Sequence, residues 1–203
     1  MDLYFMPMAC SMATRIALHE VGVEANFIEV DPATKTTPDG GDYREVNPLG
    51  LVPTLRTDDG ELLTENVAVL QHVASLGGGA VDPRLTEQLA FISSELHTRL
   101  FSWLFDRTAP PEARRHAVEK GRARLEHLDR KLADRRYLLD EFSVADAYLL
   151  TVLNWAQATP VDLSPFPNLT AYLERGRERP TVKASVAIEL PLYLEEQRRA
   201  KVR

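Results

Sequence analysis

The chain has a single cysteine, Cys10, among 203 residues. An internal disulfide is therefore excluded, and with it a secreted scaffold stapled by disulfides. An excess of positive charge is also missing. Lys and Arg number 24 against 30 Asp and Glu, a net charge of −6. That balance does not suit a nucleic-acid partner, which requires cations that displace counterions from phosphates. Long apolar runs are absent too. The longest, Ala147 to Ala156, is interrupted by Thr151 and Asn154, is too short to span a bilayer and reads as a buried core helix. Met1-Asp2-Leu3-Tyr4 has neither the basic start nor the apolar core of a signal peptide, so a cytoplasmic protein is expected, with no membrane partner. No metal site is expected. What remains is an ordinary globular composition, 44% hydrophobic and 27% charged, enough for one large domain or two small ones.

The first third mixes strand-like and helical runs. Asp2–Phe5 and Ala25–Val30 suit strands, and between them Ala13, Ile16, Ala17 and Val21 recur at helical spacing until Gly22 stops the helix. This predicts a βαβ unit with parallel strands and a right-handed crossover. Residues 31–42 read as an exposed loop, and Tyr43–Asn47 as a short helical piece ahead of Pro48. Val52–Thr57 and Glu61–Thr64 read as strands joined by a tight turn at Asp58-Asp59-Gly60. Asn66–Leu76 follows as a helix, giving ββα.

Gly77-Gly78-Gly79 breaks the chain, since three glycines cannot sensibly continue a helix. A linker is placed at 77–82, dividing the protein into domains 1–78 and 83–203. The second reads as all-helical. Leu85, Leu89, Ile92 and Leu96 form an apolar stripe, with Ser93, Ser94, His97 and Phe101 opposite. Pro111 suits a helix start, and 112–134 carries a stripe of Val118, Leu125, Leu128 and Leu132 on a charged, solvated helix. Further helices are predicted at 143–158, 168–178 and 181–188. Ser143 and Asp146 form a capping-box pair at the start of an apolar helix, a folding signal for which Asp146→Ala is expected to cost about 1–2 kcal/mol or more.

Three segments carry candidate chemistry. Ala9-Cys10-Ser11 places a thiol between a strand and a helix start. Unpaired backbone N–H groups and the helix dipole there favour the reactive thiolate, although a free cysteine is as readily a buried structural residue. In Asn47-Pro48-Leu49-Gly50-Leu51-Val52-Pro53-Thr54-Leu55, Pro53 opens a strand and leaves Val52 with unpaired backbone groups. A cis Val52–Pro53 bond would present that backbone to a peptide-like ligand. In Leu63-Thr64-Glu65-Asn66, Glu65 and Asn66 stand at a strand-to-helix junction, suited either to an amino acid's ammonium and carboxylate or to ordinary helix capping.

Taken in order, these segments resemble the N-terminal domain of the glutathione transferases, and in detail the bacterial beta class. The resemblance rests on Pro7-Met8-Ala9-Cys10-Ser11, Thr34-Lys35-Thr36-Thr37, Asn47-Pro48-Leu49-Gly50-Leu51-Val52-Pro53 and Leu62-Leu63-Thr64-Glu65-Asn66. It continues in Ser93-Ser94-Glu95-Leu96-His97 and Phe142-Ser143-Val144-Ala145-Asp146-Ala147-Tyr148. It implies a fold that is α/β plus all-α: a thioredoxin-like N-terminal domain, the βαβ-ββα mixed sheet, followed by an all-helical C-terminal domain. By matching positions, Cys10 lies beside the glutathione sulfur and can form a mixed disulfide with it. Val52, ahead of a cis Pro53, pairs with the cysteinyl part. Glu65 and Asn66 hold the γ-glutamyl end, and Lys35 lies near the glycyl carboxylate. His97 and Ser11 join Cys10 as catalytic candidates, and Glu95 reaches the glutathione of the other subunit of a homodimer. Thr98 stands where many members carry Lys, Ala90 where Asn is frequent, and Asn66 where Gly or Ser is common.

The implied activity is a detoxification reaction, conjugation of glutathione thiolate to a small hydrophobic electrophile held between the two domains. Two alternatives stand beside it: thiol–disulfide exchange through a Cys10–glutathione mixed disulfide, and a binding module that keeps the fold without catalysis.

Overall fold

A computed structural model describes residues 1–78 and 82–202. Gly77 and Gly78 form a turn, while Gly79, Ala80 and Val81 of the expected linker lie outside the described residues. The chain divides into two compact units, Met1–Ala80 with Pro180–Arg203, and Val81–Arg179.

The first unit holds β1 (Asp2–Phe5), α1 (Met12–Val21), β2 (Asn26–Glu29), β3 (Thr54–Arg56), β4 (Leu62–Leu63) and α2 (Asn66–Leu76). The sheet order is β2-β1-β3-β4. β1 runs parallel to β2, with Leu3 opposite Phe27, and antiparallel to β3, with Leu3 opposite Leu55. The βαβ and ββα expectations are met. Gly22 ends α1 at φ 68, a left-handed conformation that glycine adopts without a Cβ penalty. β1 has the predicted bounds, while β2, β3 and β4 are shorter than predicted. Pro53 has no N–H for a ladder, so pairing in β3 begins only at Thr54. One core cluster joins Tyr4, Val30 and Tyr43 to Met6, Ile28, Val46 and Val52. The predicted helical piece after the loop is a single turn, Tyr43–Glu45.

In the second unit α3 (Pro83–Phe91) begins at Asp82, whose carboxylate accepts the Leu85 N–H at 2.8 Å. It continues as a π-helical stretch, Ile92–Ser102, and a short α4 (Trp103–Phe105). Leu85, Leu89, Ile92 and Leu96 are buried as expected, but so are Leu100 and Phe101. Phe101 therefore does not share an open side with Ser93, Ser94 and His97. The wider π winding carries the apolar stripe onto both positions 100 and 101.

α5 (Pro111–Lys131) starts at the expected proline. Leu125, Leu128 and Leu132 are buried, Val118 only partly; the first half of the buried face is instead Ala117 and Gly121. A Cβ on Gly121 would lie 2.7 Å from Leu100 Cδ1, so a larger residue there would require the buried Leu100 side chain to shift. α6 (Val144–Asn154) is buried from Val144 to Leu153. Its capping box forms, and α7 (Pro167–Arg177) follows. Asp146 Oδ2 accepts the Ser143 N–H at 3.0 Å and the Ser143 hydroxyl at 3.1 Å. Its other oxygen accepts the Leu138 N–H at 2.9 Å and the Tyr172 hydroxyl at 2.8 Å.

The last helix, α8 (Pro180–Val202), runs well past the predicted end at 188 and through Pro191. The expected division assigned it to the helical domain. It groups instead with the first unit, where it packs against α1 and its Glu189 forms a buried ion pair with Arg15.

Candidate functional site

Cys10 sits in the turn between β1 and α1, and α1 begins two residues later. The residue is only 9% exposed, and its thiol donates to the Val52 carbonyl, Sγ to O 3.1 Å. Burial pushes the thiol up to about 12. The Cys10 and Ser11 backbone N–H groups pull the other way, as expected of a helix start, but Glu65 and Glu189 add further upward pressure. The expected thiolate bias of the helix terminus is thus corrected: desolvation outweighs it, and the resting thiol is protonated. Ser11 is fully buried, and its hydroxyl bonds the Met6 N–H and carbonyl, both at 3.2 Å. Its side chain fixes the turn, and what Ser11 offers toward the thiol is its backbone N–H.

Val52 is held from behind. The Tyr43 hydroxyl donates to the Leu51 carbonyl at 2.7 Å, and Asn47 Nδ2 donates to the same oxygen at 2.8 Å. Both side chains also meet the Thr54 hydroxyl. The Val52–Pro53 peptide is cis. In the sequence Tyr43 and Asn47 stood only as the ends of a short helical piece, with Asn47 also opening the segment that runs to Leu55, and neither was given this supporting role.

At the start of α2, Asn66 is 7% exposed. Its Oδ1 accepts from the Thr14 hydroxyl at 3.3 Å, while its Nδ2 has no hydrogen-bond partner. A buried amide N–H without an acceptor is costly and points to a missing ligand atom. Glu65 beside it is exposed, with a left-handed backbone at φ 64. Among the described residues the non-glycine positions with positive φ are Met8, Lys35 and Glu65. Met8 flanks Cys10, and the other two were expected to touch a ligand; such strain concentrates at functional positions. The Lys35 side chain lies partly buried against Gly50, and burial lowers its pKa.

The remaining candidates lie in the helical unit. His97 Nδ1 is 2.7 Å from the Tyr148 hydroxyl, and its ring meets Trp155 edge to face at 4.9 Å. Burial lowers the imidazole to about 4. His97 is therefore neutral near pH 7, and its stability contribution is present above the ordinary value of 6.5 and lost as pH falls toward 4. We expect its Cε1–H proton resonance to show no transition between about pH 5 and 8; a midpoint near the ordinary value refutes the buried, neutral imidazole. The Glu95 carboxylate pairs with Arg99 at 3.4 Å and with Arg124 at 2.9 Å. These pairs engage it within its own chain, at the edge of a cavity of about 790 Å³ that also meets Trp103, His116 and Lys120.

The Glutathione S-transferase, N-terminal domain family model matches residues 7–76, and the Glutathione S-transferase, C-terminal domain model matches residues 111–175. The glutathione S-transferase GstA of Escherichia coli O157:H7 is 35% identical over 202 residues, covering 93% of this chain and 98% of that relative. This chain belongs to the glutathione S-transferase family. Within that family it is closely related to the beta class. A bacterial beta-class glutathione S-transferase of Sphingomonas chungbukensis superposes with a TM-score of 0.87 at 39% identity, covering 93% of this chain and 98% of the other. A sphingomonad glutathione S-transferase solved in complex with glutathione gives the same TM-score, identity and coverage.

Within this glutathione S-transferase frame the first unit brings Cys10 against Val52, and Thr14 against Asn66. Sequence reasoning missed Arg15 and Glu189. Val182, Ser185 and Glu189 are buried at i, i+3 and i+7 on α8, so a carboxylate at a core position was the available signal. Ending the predicted helix at 188 hid it. Among the described residues no group of three or more His, Cys, Asp or Glu could hold a metal ion, and no helix is long and apolar enough to cross a membrane.

Proposed function

We propose that this chain is a glutathione transferase that binds glutathione in its first unit and joins the glutathionyl group, through its thiolate sulfur, to a small hydrophobic electrophile. The observation that carries the reading is the buried, unpartnered Asn66 amide beside Glu65, on the same unit as the Cys10–Val52 contact. A γ-glutamyl group supplies what this end lacks, a carboxylate for the Asn66 N–H and an ammonium for the Glu65 carboxylate. The Val52 backbone pairs with the cysteinyl part, next to cis Pro53, and Lys35 attracts the glycyl carboxylate. Cys10 S–H, which now donates to Val52, turns to the glutathione sulfur and stabilises it as thiolate. The backbone N–H groups of Cys10 and Ser11 reinforce that bias.

The helical unit supplies aromatic surface for the electrophile. His97, Phe101, Phe105 and Trp155 form one ring cluster, and Phe105 is 47% exposed. His97, neutral and bonded to Tyr148, acts as an uncharged donor or acceptor there. A homodimer, with Glu95 reaching the partner's glutathione, belongs to the same reading. Glu95 must then share its carboxylate with Arg99 and Arg124.

Asn66→Ala is expected to weaken glutathione binding by about tenfold, the loss of one hydrogen bond to a charged group. Isothermal titration of the folded variant measures this; unchanged affinity overturns the assignment. Conjugation of a chloro-nitroarene tests the activity, and no binding of glutathione at millimolar concentration by the intact protein overturns the reading as a whole.

A further inference from the structure

We infer that Glu189, on α8, is a positioning residue for Cys10, holding the Met8 amide two residues before the thiol and Arg15 five residues after it. Its side chain is fully buried, as is that of Arg15 at 3% exposure. One carboxylate oxygen accepts the Met8 N–H at 2.8 Å and the other accepts Arg15 Nε at 2.7 Å. Both arms of the thiol turn are thereby tied to one carboxylate from the far end of the chain.

Each tie answers a local need. Met8 has φ 59, a conformation that a non-glycine residue keeps only when its surroundings enforce it. The Arg15 guanidinium is stacked 3.8 Å from the Phe27 ring centroid and 4.5 Å from that of Phe5. Its Nη2 has no partner, so Glu189 is the anion that balances a confined, buried cation. Other titratable groups face this cluster. Glu29 acts on Glu189 and pairs with Arg199 at 3.5 Å, His19 on α1 meets Ser185 of α8 at 3.1 Å, and Glu65 acts on Cys10. The Glu189 charge also favours the protonated thiol. The last helix thus holds the turn that carries Cys10 and adds to the preference for its proton that burial creates. Cys10 and the turn around it have this dependence whether or not glutathione is bound.

Because Cys10 is the only cysteine, alkylation by iodoacetamide reports on this thiol alone. Glu189→Gln removes the charge and one acceptor at nearly constant size. The rate–pH plot is expected to move down by about one pH unit, so that the rate at a fixed pH below the midpoint rises about tenfold. Glu189→Asp restores the charge and returns the plot toward that of the unmodified protein. Ser185→Ala weakens α8 at its contact with His19 without touching Met8 or Arg15, and is expected to leave the plot in place. An unmoved plot in Glu189→Gln, no return in Glu189→Asp, or an equal shift in Ser185→Ala overturns the inference. Should Glu189→Gln fail to fold, amide exchange in the unmodified protein decides. A Met8 N–H as protected as the amides of β1 supports the tie, and exchange at open-loop rates overturns it. Neither measurement uses glutathione, so the outcome is independent of the proposed reaction.

Discussion

Asp146→Ala lowers the free energy of unfolding by about 4 kcal/mol, several times the loss of an ordinary helix cap. The reason is the number of groups that one carboxylate satisfies. Asp146 is fully buried and accepts from two backbone N–H groups and two hydroxyls: those of Leu138, Ser143 and Tyr172. Alanine leaves the buried Leu138 N–H and the part-buried Ser143 N–H without acceptors, at about 1–3 kcal/mol each, while the hydroxyls can rotate toward other partners. Burial raises the Asp146 pKa, and these donors oppose that rise by favouring the ionised form. Controls separate the contributions. Tyr172→Phe and Ser143→Ala should each cost about 1 kcal/mol. Urea melts decide: a lowered midpoint with unchanged slope is expected, and a midpoint within error of the unmodified protein refutes the account. Against a total stability of about 5–15 kcal/mol the loss is large enough to reduce the yield of folded protein.

The capping box shows where sequence reading succeeds and where it stops. Ser143 and Asp146 are three residues apart, and local spacing carries a local bond. Leu138 is eight residues from Asp146 and Tyr172 twenty-six, and no spacing rule connects them. The same division runs through the site. Cys10, Val52 and Asn66 were legible because turn, strand and helix signals bracket each one. Their supports were not. Tyr43 and Asn47 hold the Leu51 carbonyl, and Thr14 meets Asn66, through contacts that exist only once the sheet and α1 have packed. Glu189 was the most remote, 174 residues from Arg15. Phe101 illustrates a different limit. An α-helical wheel places it opposite the leucines, and only the π winding of Ile92–Ser102 brings it among them. The protonation of Cys10 is a third case. A helix start predicts a lowered thiol, but burial is a property of the whole unit and here has the larger effect.

That protonation leads to the second large effect. In the unliganded protein Cys10 should react with iodoacetamide about a thousandfold more slowly than free cysteine near pH 8, because a thiol at about 12 has almost no thiolate there. The sign of the pH dependence follows. The thiol keeps its proton in the folded state above the ordinary value of 9.0, so its contribution to stability is intact below that value and is lost as pH rises toward about 12. The same state separates the chemical roles open to Cys10. As a nucleophile in disulfide exchange it would need the thiolate that burial suppresses. As a hydrogen-bond donor it needs only the proton it already has, and directs now at Val52. Cys10→Ala should therefore abolish any glutathione mixed disulfide, seen by mass spectrometry, while conjugation of a chloro-nitroarene falls by only about tenfold, the loss of one hydrogen bond to a developing thiolate. A fall of several orders of magnitude, or rapid alkylation of the unmodified protein near neutral pH, would show that the thiol ionises and acts as a nucleophile.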